Sequence, residues 1–174
     1  MKSESIKITV LEAAEIEKVL KIQMECNLTS WNYIDYLKAI QNDELVTLVA
    51  KTKKEINGFI VARLIINKDF NPILLKQKSS EKLGQTSYSP ENEAEIYSFA
   101  IAKKYQNKGI GKQLFSKFKE MAKKNEIDLI WLEVRKSNIN AIEFYKKNNF
   151  SQSYQRKNYY NNPTEDGIVM KLVL

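Results

Sequence analysis

Two stretches of this sequence hold the side chains and turns that could do chemistry. The first is Gln106-Asn107-Lys108-Gly109-Ile110-Gly111-Lys112, which follows the apolar run Glu95 to Ile101. Gly109 and Gly111 lack a Cβ, so the backbone can turn sharply there and approach a ligand closely. Leu114, Phe115, Phe118, Met121 and Ala122 then recur at helical spacing, so a helix begins at the glycines. Its first N–H groups have no partners inside the helix and lie at the positive end of the helix dipole, a setting that suits phosphate. Lys108 and Lys112 add full positive charge. The spacing matches neither the phosphate loop of nucleotide hydrolases nor the dinucleotide fingerprint, so neither ATP nor NAD is favoured. The second stretch is Leu129 to Arg135, LIWLEVR, an apolar strand pattern with a single carboxylate, Glu133, inside it. A carboxylate in such a strand is costly to bury unless it is paired or functional.

The composition narrows the chemistry further. The sequence has no histidine, which removes Ser-His and Cys-His nucleophile pairs, histidine metal ligands and histidine bases together. An acid or base must be a carboxylate, Tyr, Lys, Cys or water, and no metal site is expected. The one cysteine, Cys26, allows no internal disulfide, and it reads as a small packing residue in a reducing compartment. No run of 18 apolar residues is present and the N-terminus is polar, so a cytoplasmic protein without a membrane span is expected. Residues 1–102 hold 13 basic and 14 acidic side chains, whereas residues 103–174 hold 15 and 7. The basic half contains the glycine turn, and its field would attract a polyphosphate or an RNA surface. No specific nucleic-acid motif accompanies it.

The elements that must position these stretches follow from periodicity. Ser5 to Val10 alternates as a strand, and Glu12 to Glu25 places Ile16, Val19, Leu20 and Met24 on a helix. Ser30 is expected to cap a second helix carrying Trp31, Ile34, Leu37 and Ile40. Leu45 to Lys51 and Gly58 to Ile66 predict an antiparallel hairpin. Residues 67–93 lose all periodicity and predict a long loop. Ser137 is expected to cap a short helix bearing Ala141, Ile142, Phe144 and Tyr145, ended by Asn148-Asn149. Phe150 to Tyr159 and Gly167 to Val173 predict two final strands around a loop from Tyr160 to Asp166. At 174 residues this is expected to be a single domain, residues 1–174, with an insertion at about 67–93. Strands first, then helices between strands, predict an α/β (α+β) sheet with helices on both faces.

The order of these motifs, Gln106-x-x-Gly109-x-Gly111 with its helix, then LIWLEVR, then Ser137-Asn138-x-Asn140-Ala141-Ile142-x-Phe144-Tyr145, resembles the GNAT superfamily of acyl-CoA-dependent N-acetyltransferases. The likeness is close over residues 94–174 and extends to the first 66 only in the order of elements. Trp131 to Arg135 and Arg156 to Tyr160 are most similar to the branch that acetylates the N-terminal alanine of a bacterial ribosomal protein. The resemblance implies a mixed, mostly antiparallel sheet and acetyl-CoA as co-substrate. Its pyrophosphate would lie on the backbone of Lys108 to Lys112, with Gln106 and Asn107 in the same turn. Its pantetheine arm would pair with Phe99, Ala100 and Ile101, and Asn138 would bond that arm. Glu133 takes the place of the general base and Tyr145 that of the general acid beside the thioester. Trp31, Tyr159 and Tyr160 would shape the acceptor groove. Asn107 and Lys108 stand where the family often has arginine, and residues 67–93 have no counterpart in the short bacterial enzymes.

The chemistry explains the residue types. An amine attacks a thioester only as the neutral base, and a peptide α-amine ionises at roughly 7.7–8.0 against about 10.4 for lysine. General bases for such a step are commonly tuned by burial toward about 6–7. A phenol can protonate the departing thiolate, and a backbone N–H near Ile101 can meet the oxyanion. The implied activity is therefore acetylation of a peptide or protein N-terminal amine by direct attack, in a monomer or homodimer. The alternatives are acetylation of a small amine, a polyamine or an amino sugar, and a non-catalytic acyl-CoA-binding regulatory module.

Overall fold

The computed structural model describes residues 5–28, 31–66 and 92–174. Strand β1 (Lys7–Val10) leads through a 3-10 turn, Ala13–Glu15, into helix α1 (Ile16–Glu25) and then helix α2 (Tyr33–Ile40). Strands β2 (Leu45–Lys51), β3 (Ile56–Ile66) and β4 (Asn92–Ile101) follow. A second 3-10 turn, Lys103–Tyr105, precedes helix α3 (Ile110–Lys124), strand β5 (Leu129–Arg135), helix α4 (Ile139–Lys147), strand β6 (Ser151–Tyr160) and strand β7 (Glu165–Val173). The seven strands form one sheet in the order β1-β2-β3-β4-β5-β7-β6. Every neighbouring pair is antiparallel except β4 with β5, so the expected mixed, mostly antiparallel sheet is the one observed.

Two apolar layers sandwich this sheet, because β-strand side chains alternate between faces. On one face Ile60, Ala62, Ile96, Ile130, Leu132 and Met170 meet Leu114, Phe115 and Phe118 of α3 and Tyr145 of α4. On the other, Val49, Phe59, Val61 and Ala100 meet Ile16, Val19 and Ile22 of α1 and Tyr36 of α2. The buried residues of this second layer come from β2, β3 and β4 and none from β5, β7 or β6. On that half of the face the apolar layer of α1 and α2 does not continue, and the polar side chains Glu133 and Arg135 of β5 stand there instead. Burying a side chain such as Phe115 or Phe118, both fully enclosed, contributes about 1.5–3 kcal/mol each, so α3 holds its place by its apolar stripe.

Several expected boundaries shift. Helix α2 is capped by Asn32, whose Oδ1 accepts from the Ile34 and Asp35 backbone N–H groups, while Asp35 accepts in return from the Asn32 N–H. The cap is therefore not Ser30, which lies outside the described residues, and Trp31 precedes the helix. Helix α4 is capped by Asn138, with Oδ1 accepting from Ala141 N–H at 3.2 Å, and not by Ser137. Ser137 instead donates its N–H to Glu165 at 3.2 Å. The expected loop over 67–93 ends earlier, since Asn92 and Glu93 pair with Ile66 and Ile65 as the start of β4; its remainder lies outside the described residues. Tyr160 ends β6, and Glu165 and Asp166 open β7.

Candidate active site

The site is set by where β4 and β5 separate. Their register runs only from Glu93 opposite Leu129 to Ile96 opposite Leu132, although β4 continues to Ile101 and β5 to Arg135. At the parting point Tyr97 is an extra residue in β4, because Val61 of β3 pairs with Ser98 and the next residue, Ala62, pairs with Ile96. A bulge of this kind bends a strand and reverses the phase of its side chains. Ala94 and Ile96 before it, and Phe99 and Ile101 after it, accordingly pack against the same α3 layer. Past Ile96 the edge of β4 that faced β5 has no strand partner among the described residues. An extended ligand can hydrogen-bond along Phe99 to Ile101.

The glycine turn stands at the far end of this open edge. Gly109 has φ 78°, a left-handed conformation that disfavours any side chain, and Asn107 has φ 60°. Helix α3 starts immediately after, with no side chain capping it. Gln113 is the first residue whose N–H reaches back, to Gly109 O at 3.2 Å. The N–H groups of Ile110, Gly111 and Lys112 thus point out of the helix end toward where an anion would sit. A Cβ on Gly111 would lie 3.5 Å from Phe144 and 3.6 Å from Ile101, ordinary contacts, so the chain's own packing does not demand glycine at this position. Gln106 ties the turn to the strand by donating from Nε2 to Ile101 O at 2.9 Å. Cys26 also reaches that carbonyl, at 3.5 Å, and its burial pushes the thiol pKa up. Lys108 lies over the Tyr105 ring at 5.4 Å, and the Tyr105 hydroxyl is bonded to Glu55.

Phe99 connects this end to α4. Its ring lies 5.4 Å from Phe144 and 6.4 Å from Tyr145. Tyr145 is only 7% exposed, burial pushes its phenol up, and the phenol lies within electrostatic reach of Tyr160. It therefore sits both in the apolar layer and at the fork.

On the opposite face of the sheet the groove is polar. Arg156 Nη1 lies 2.5 Å from Glu133 Oε1, and the Tyr159 hydroxyl also bonds Glu133, which pushes that phenol up. The Arg156 guanidinium stacks 4.1 Å from the Tyr159 ring, and Arg135 stacks 4.3 Å from the Tyr160 ring. Burial, then the Glu133 charge, push Tyr160 up to about 12. Arg135 is fixed in turn by Glu165 at 2.9 Å and by the carbonyls of Asn161 and Pro163. Gly167 of β7 leaves room for this stack, since a Cβ there would come within 3.1 Å of the Tyr159 ring. Across the groove Trp31 lies 6.1 Å from Tyr97 and 5.4 Å from Tyr36. Its carbonyl accepts from Gln23 Nε2 at 2.6 Å, and Tyr36 donates to Gln23 Oε1 at 2.9 Å, so a buried hydrogen-bonded pair sets the position of Trp31.

The structure thus brings Phe99, Ile101, Gly111 and Tyr145 together on the α3 face of the sheet, with Ala100 turned to the other face, and gathers Glu133, Tyr159 and Tyr160 around Arg156 and Arg135. Asn138 has its Oδ1 committed to the helix cap. Sequence reasoning missed Arg156, Tyr97 and Glu95. Glu95 carried a usable signal, being a carboxylate inside an apolar strand as Glu133 is; Arg156 stands in a stretch that carries the resemblance, but no local pattern marks its pairing with a partner 23 residues away. Among the described residues no three acidic or thiol side chains gather as a metal cluster, and no helix is long and apolar enough to cross a membrane.

The mixed sheet thus carries a fork with an uncapped helix start at one end and a held carboxylate on the other face, and the match to known proteins gives its class, an acyltransferase. Residues 16–150 match the acetyltransferase (GNAT) family, and the chain belongs to it. A ribosomal protein bS18-alanine N-acetyltransferase of Haemophilus influenzae is 28% identical over 170 residues, 96% of this chain and 98% of that protein. The enzyme of the same name from Escherichia coli is 36% identical over 85 residues, 47% of this chain and 56% of that protein. In fold, the chain is similar to the ribosomal-protein-S18-alanine N-acetyltransferase of Escherichia coli, with TM-score 0.75 and 21% identity over 97% of this chain and 94% of that one. It is equally similar to Arabidopsis thaliana Naa50 in complex with a bisubstrate analogue, CoA-Ac-MVNAL, with TM-score 0.76 and 21% identity over 98% and 99%.

Proposed function

We propose that this protein transfers the acetyl group of acetyl-CoA to the α-amine of a peptide or protein N-terminus, by direct attack within a complex of both substrates. The observation that carries this reading is the fork: a free β4 edge that ends at an uncapped helix start, with Glu133 on the adjoining strand. The N–H groups of Ile110, Gly111 and Lys112 would hold the pyrophosphate, and Phe99 to Ile101 the pantetheine arm. Glu133 would receive the ammonium and take its proton, directly or through a water. Tyr145, kept protonated by burial, would protonate the leaving thiolate. Trp31, Tyr159 and Tyr160 would border the peptide. A ribosomal-protein acceptor is the finer form of this proposal, supported by the long match to the Haemophilus influenzae relative. The reaction would run in the cytoplasm, where Cys26 is a free thiol.

A second reading, a polyamine acceptor, is favoured by the paired carboxylates Glu95 and Glu133. Arg63 and Arg156 stand against it, since both are charged toward the same groove and would repel a polycation. The test is incubation with acetyl-CoA and a panel of Ala-, Ser- and Met-starting peptides, polyamines and amino sugars, following CoA release and product mass. Acetylated peptide α-amines, lost in Glu133→Gln, are the expected result. Turnover only on polyamines would establish the second reading, and tight acetyl-CoA binding with no turnover on any acceptor would leave a binding module.

A further inference from the structure

The turn between β4 and α3 is backed by the tip of the β2–β3 hairpin. Asn57 O accepts from the Ala102 N–H at 2.9 Å. A Cβ on Gly58 would run into the Ile101 side chain and fall 2.7 Å from Ala100 O, so the two strands touch without clearance where β4 ends. Glu55, the residue before β3, reaches from this tip into the turn. Its carboxylate accepts from the Tyr105 hydroxyl and from Lys104 Nζ, the latter at 2.5 Å. The tip itself is braced, because the Thr52 hydroxyl accepts from the Lys54 and Glu55 N–H groups, each at 3.3 Å, and the Thr52 N–H donates to Glu55 O at 3.0 Å. The Tyr105 ring packs against both apolar layers. Two ammonium groups lie over it, Lys104 at 5.0 Å and Lys108 at 5.4 Å. They differ in charge balance. Lys104 is paired with Glu55, whereas among the described residues no carboxylate pairs with Lys108, which stands one residue before Gly109.

We infer that Glu55 is a positioning residue of the donor site, which through Tyr105 fixes the glycine turn and presents the Lys108 ammonium to the pyrophosphate of acetyl-CoA. The inference rests on the transferase reading above and deepens it. The Glu55–Lys104 pair is exposed, and a pair of that kind adds little to stability. Its effect is on where positive charge is available. With Lys104 neutralised, Lys108 carries the unbalanced charge over this ring, and it stands beside the uncapped N–H groups of Ile110, Gly111 and Lys112. An aromatic ring attracts a cation through the negative face of its π-system, and a phenol that donates to a carboxylate adds electron density to that face. The Tyr105–Glu55 bond thus holds the ring by its outer end and strengthens its hold on Lys108. Lys104 first, then Tyr105, hold the Glu55 carboxyl below the usual range, so the tie persists through neutral pH. A lysine is a point charge on a flexible stem. Resting it on a fixed ring lowers the freedom it must lose when a phosphate arrives.

The test measures the affinity for acetyl-CoA and for acetyl-pantetheine by calorimetric titration. Acetyl-pantetheine carries the same thioester and arm but no phosphate. The proteins are wild type, Glu55→Gln, Tyr105→Phe, the double variant, and Glu120→Gln, which removes the same charge from exposed pairs on α3. The expected result is acetyl-CoA affinity weakened on the order of tenfold in Glu55→Gln and in Tyr105→Phe. The double variant loses no more than either single one, because both cut the same tie. Acetyl-pantetheine affinity is unchanged throughout, and Glu120→Gln binds acetyl-CoA as wild type does. Wild-type acetyl-CoA affinity in Glu55→Gln and Tyr105→Phe overturns the inference. So do losses that multiply in the double variant, and so does a loss of the same size in Glu120→Gln. An equal loss for acetyl-pantetheine also overturns it, since it would mark a general disturbance of the fold. A wild type that fails to bind acetyl-CoA would instead overturn the transferase reading.

Discussion

Arg156 on the edge strand β6 reaches over β7 to place its Nη1 2.5 Å from Glu133 Oε1 on β5. The same guanidinium lies flat on Tyr159 at 4.1 Å, so one side chain holds both the carboxylate and a wall of the groove. Lysine has a point charge and no planar face. Arg156→Lys is expected to keep the fold but lower kcat/KM for the peptide about tenfold, about 1.4 kcal/mol, mostly through KM, while acetyl-CoA affinity stays the same. Steady-state kinetics varying each substrate separately will check this.

The two glycines of the turn are expected to respond in opposite ways. Gly109→Ala places a Cβ at φ 78°, which costs about 1–2 kcal/mol and lowers Tm by about 2–8 °C. Gly111→Ala meets only ordinary contacts, so Tm is retained, but the added methyl stands beside the outward N–H groups. Acetyl-CoA affinity is expected to weaken on the order of tenfold, about 1.4 kcal/mol. Calorimetric binding and thermal melts on both variants separate conformation from ligand contact.

Tyr145→Phe removes only the hydroxyl from a ring that stays packed against Phe99, Phe144 and Phe150. If the phenol acts as the acid, kcat falls on the order of 10²-fold and Tm is held. Unchanged kcat would reduce Tyr145 to a packing residue.

Gly167→Ala would set a Cβ within 3.1 Å of the Tyr159 ring and push the ring away from Glu133. The expected result is a rise in KM for the peptide, with kcat/KM down roughly tenfold and CoA affinity untouched.

Acid is expected to loosen the β6–β7 hairpin. The Arg135 guanidinium, then Ser137, hold the Glu165 carboxyl below the usual range. The Asn158 N–H, aided by Lys136 and Gln155, does the same for Asp166. Because both folded values are lowered, the stabilisation is present above the unfolded values of about 4 and is lost as pH falls through the lowered folded ones. Hydrogen exchange at Asn158 and Ser137 is expected to accelerate in that window before exchange in α3 does.

Much of this architecture is legible in the residues. The β-branched and aromatic runs of β4 and β5, and the apolar stripe of α3, are local patterns that the sheet and its core preserve. The caps are less legible, because Asn32 has Ser30 two residues before it and Asn138 has Ser137 beside it, and each is a competent capping type. At the second of these caps the Asn138 Oδ1 accepts from the helix and Ser137 turns its N–H to Glu165. The Arg156–Glu133 contact and the placement of Glu95 beside Glu133 depend on strand order, with β7 inserted between β5 and β6, and no local pattern encodes that order. The family resemblance implied the roles of Glu133 and Tyr145, and the fold sets the first on β5 and the second on α4.

The short register between β4 and β5 has a mechanical consequence. Two antiparallel half-sheets, β1 to β4 and β5-β7-β6, are joined laterally by the pairing of Glu93 to Ile96 with Leu129 to Leu132 and no further. A pantetheine chain laid along Phe99 to Ile101 would extend that seam as a strand would, fastening the halves where the backbone ladder stops. Loading the donor would then make the molecule stiffer as well as reactive. At 100 times the dissociation constant it would add about 2.7 kcal/mol of stability, felt as slower amide exchange in both half-sheets together.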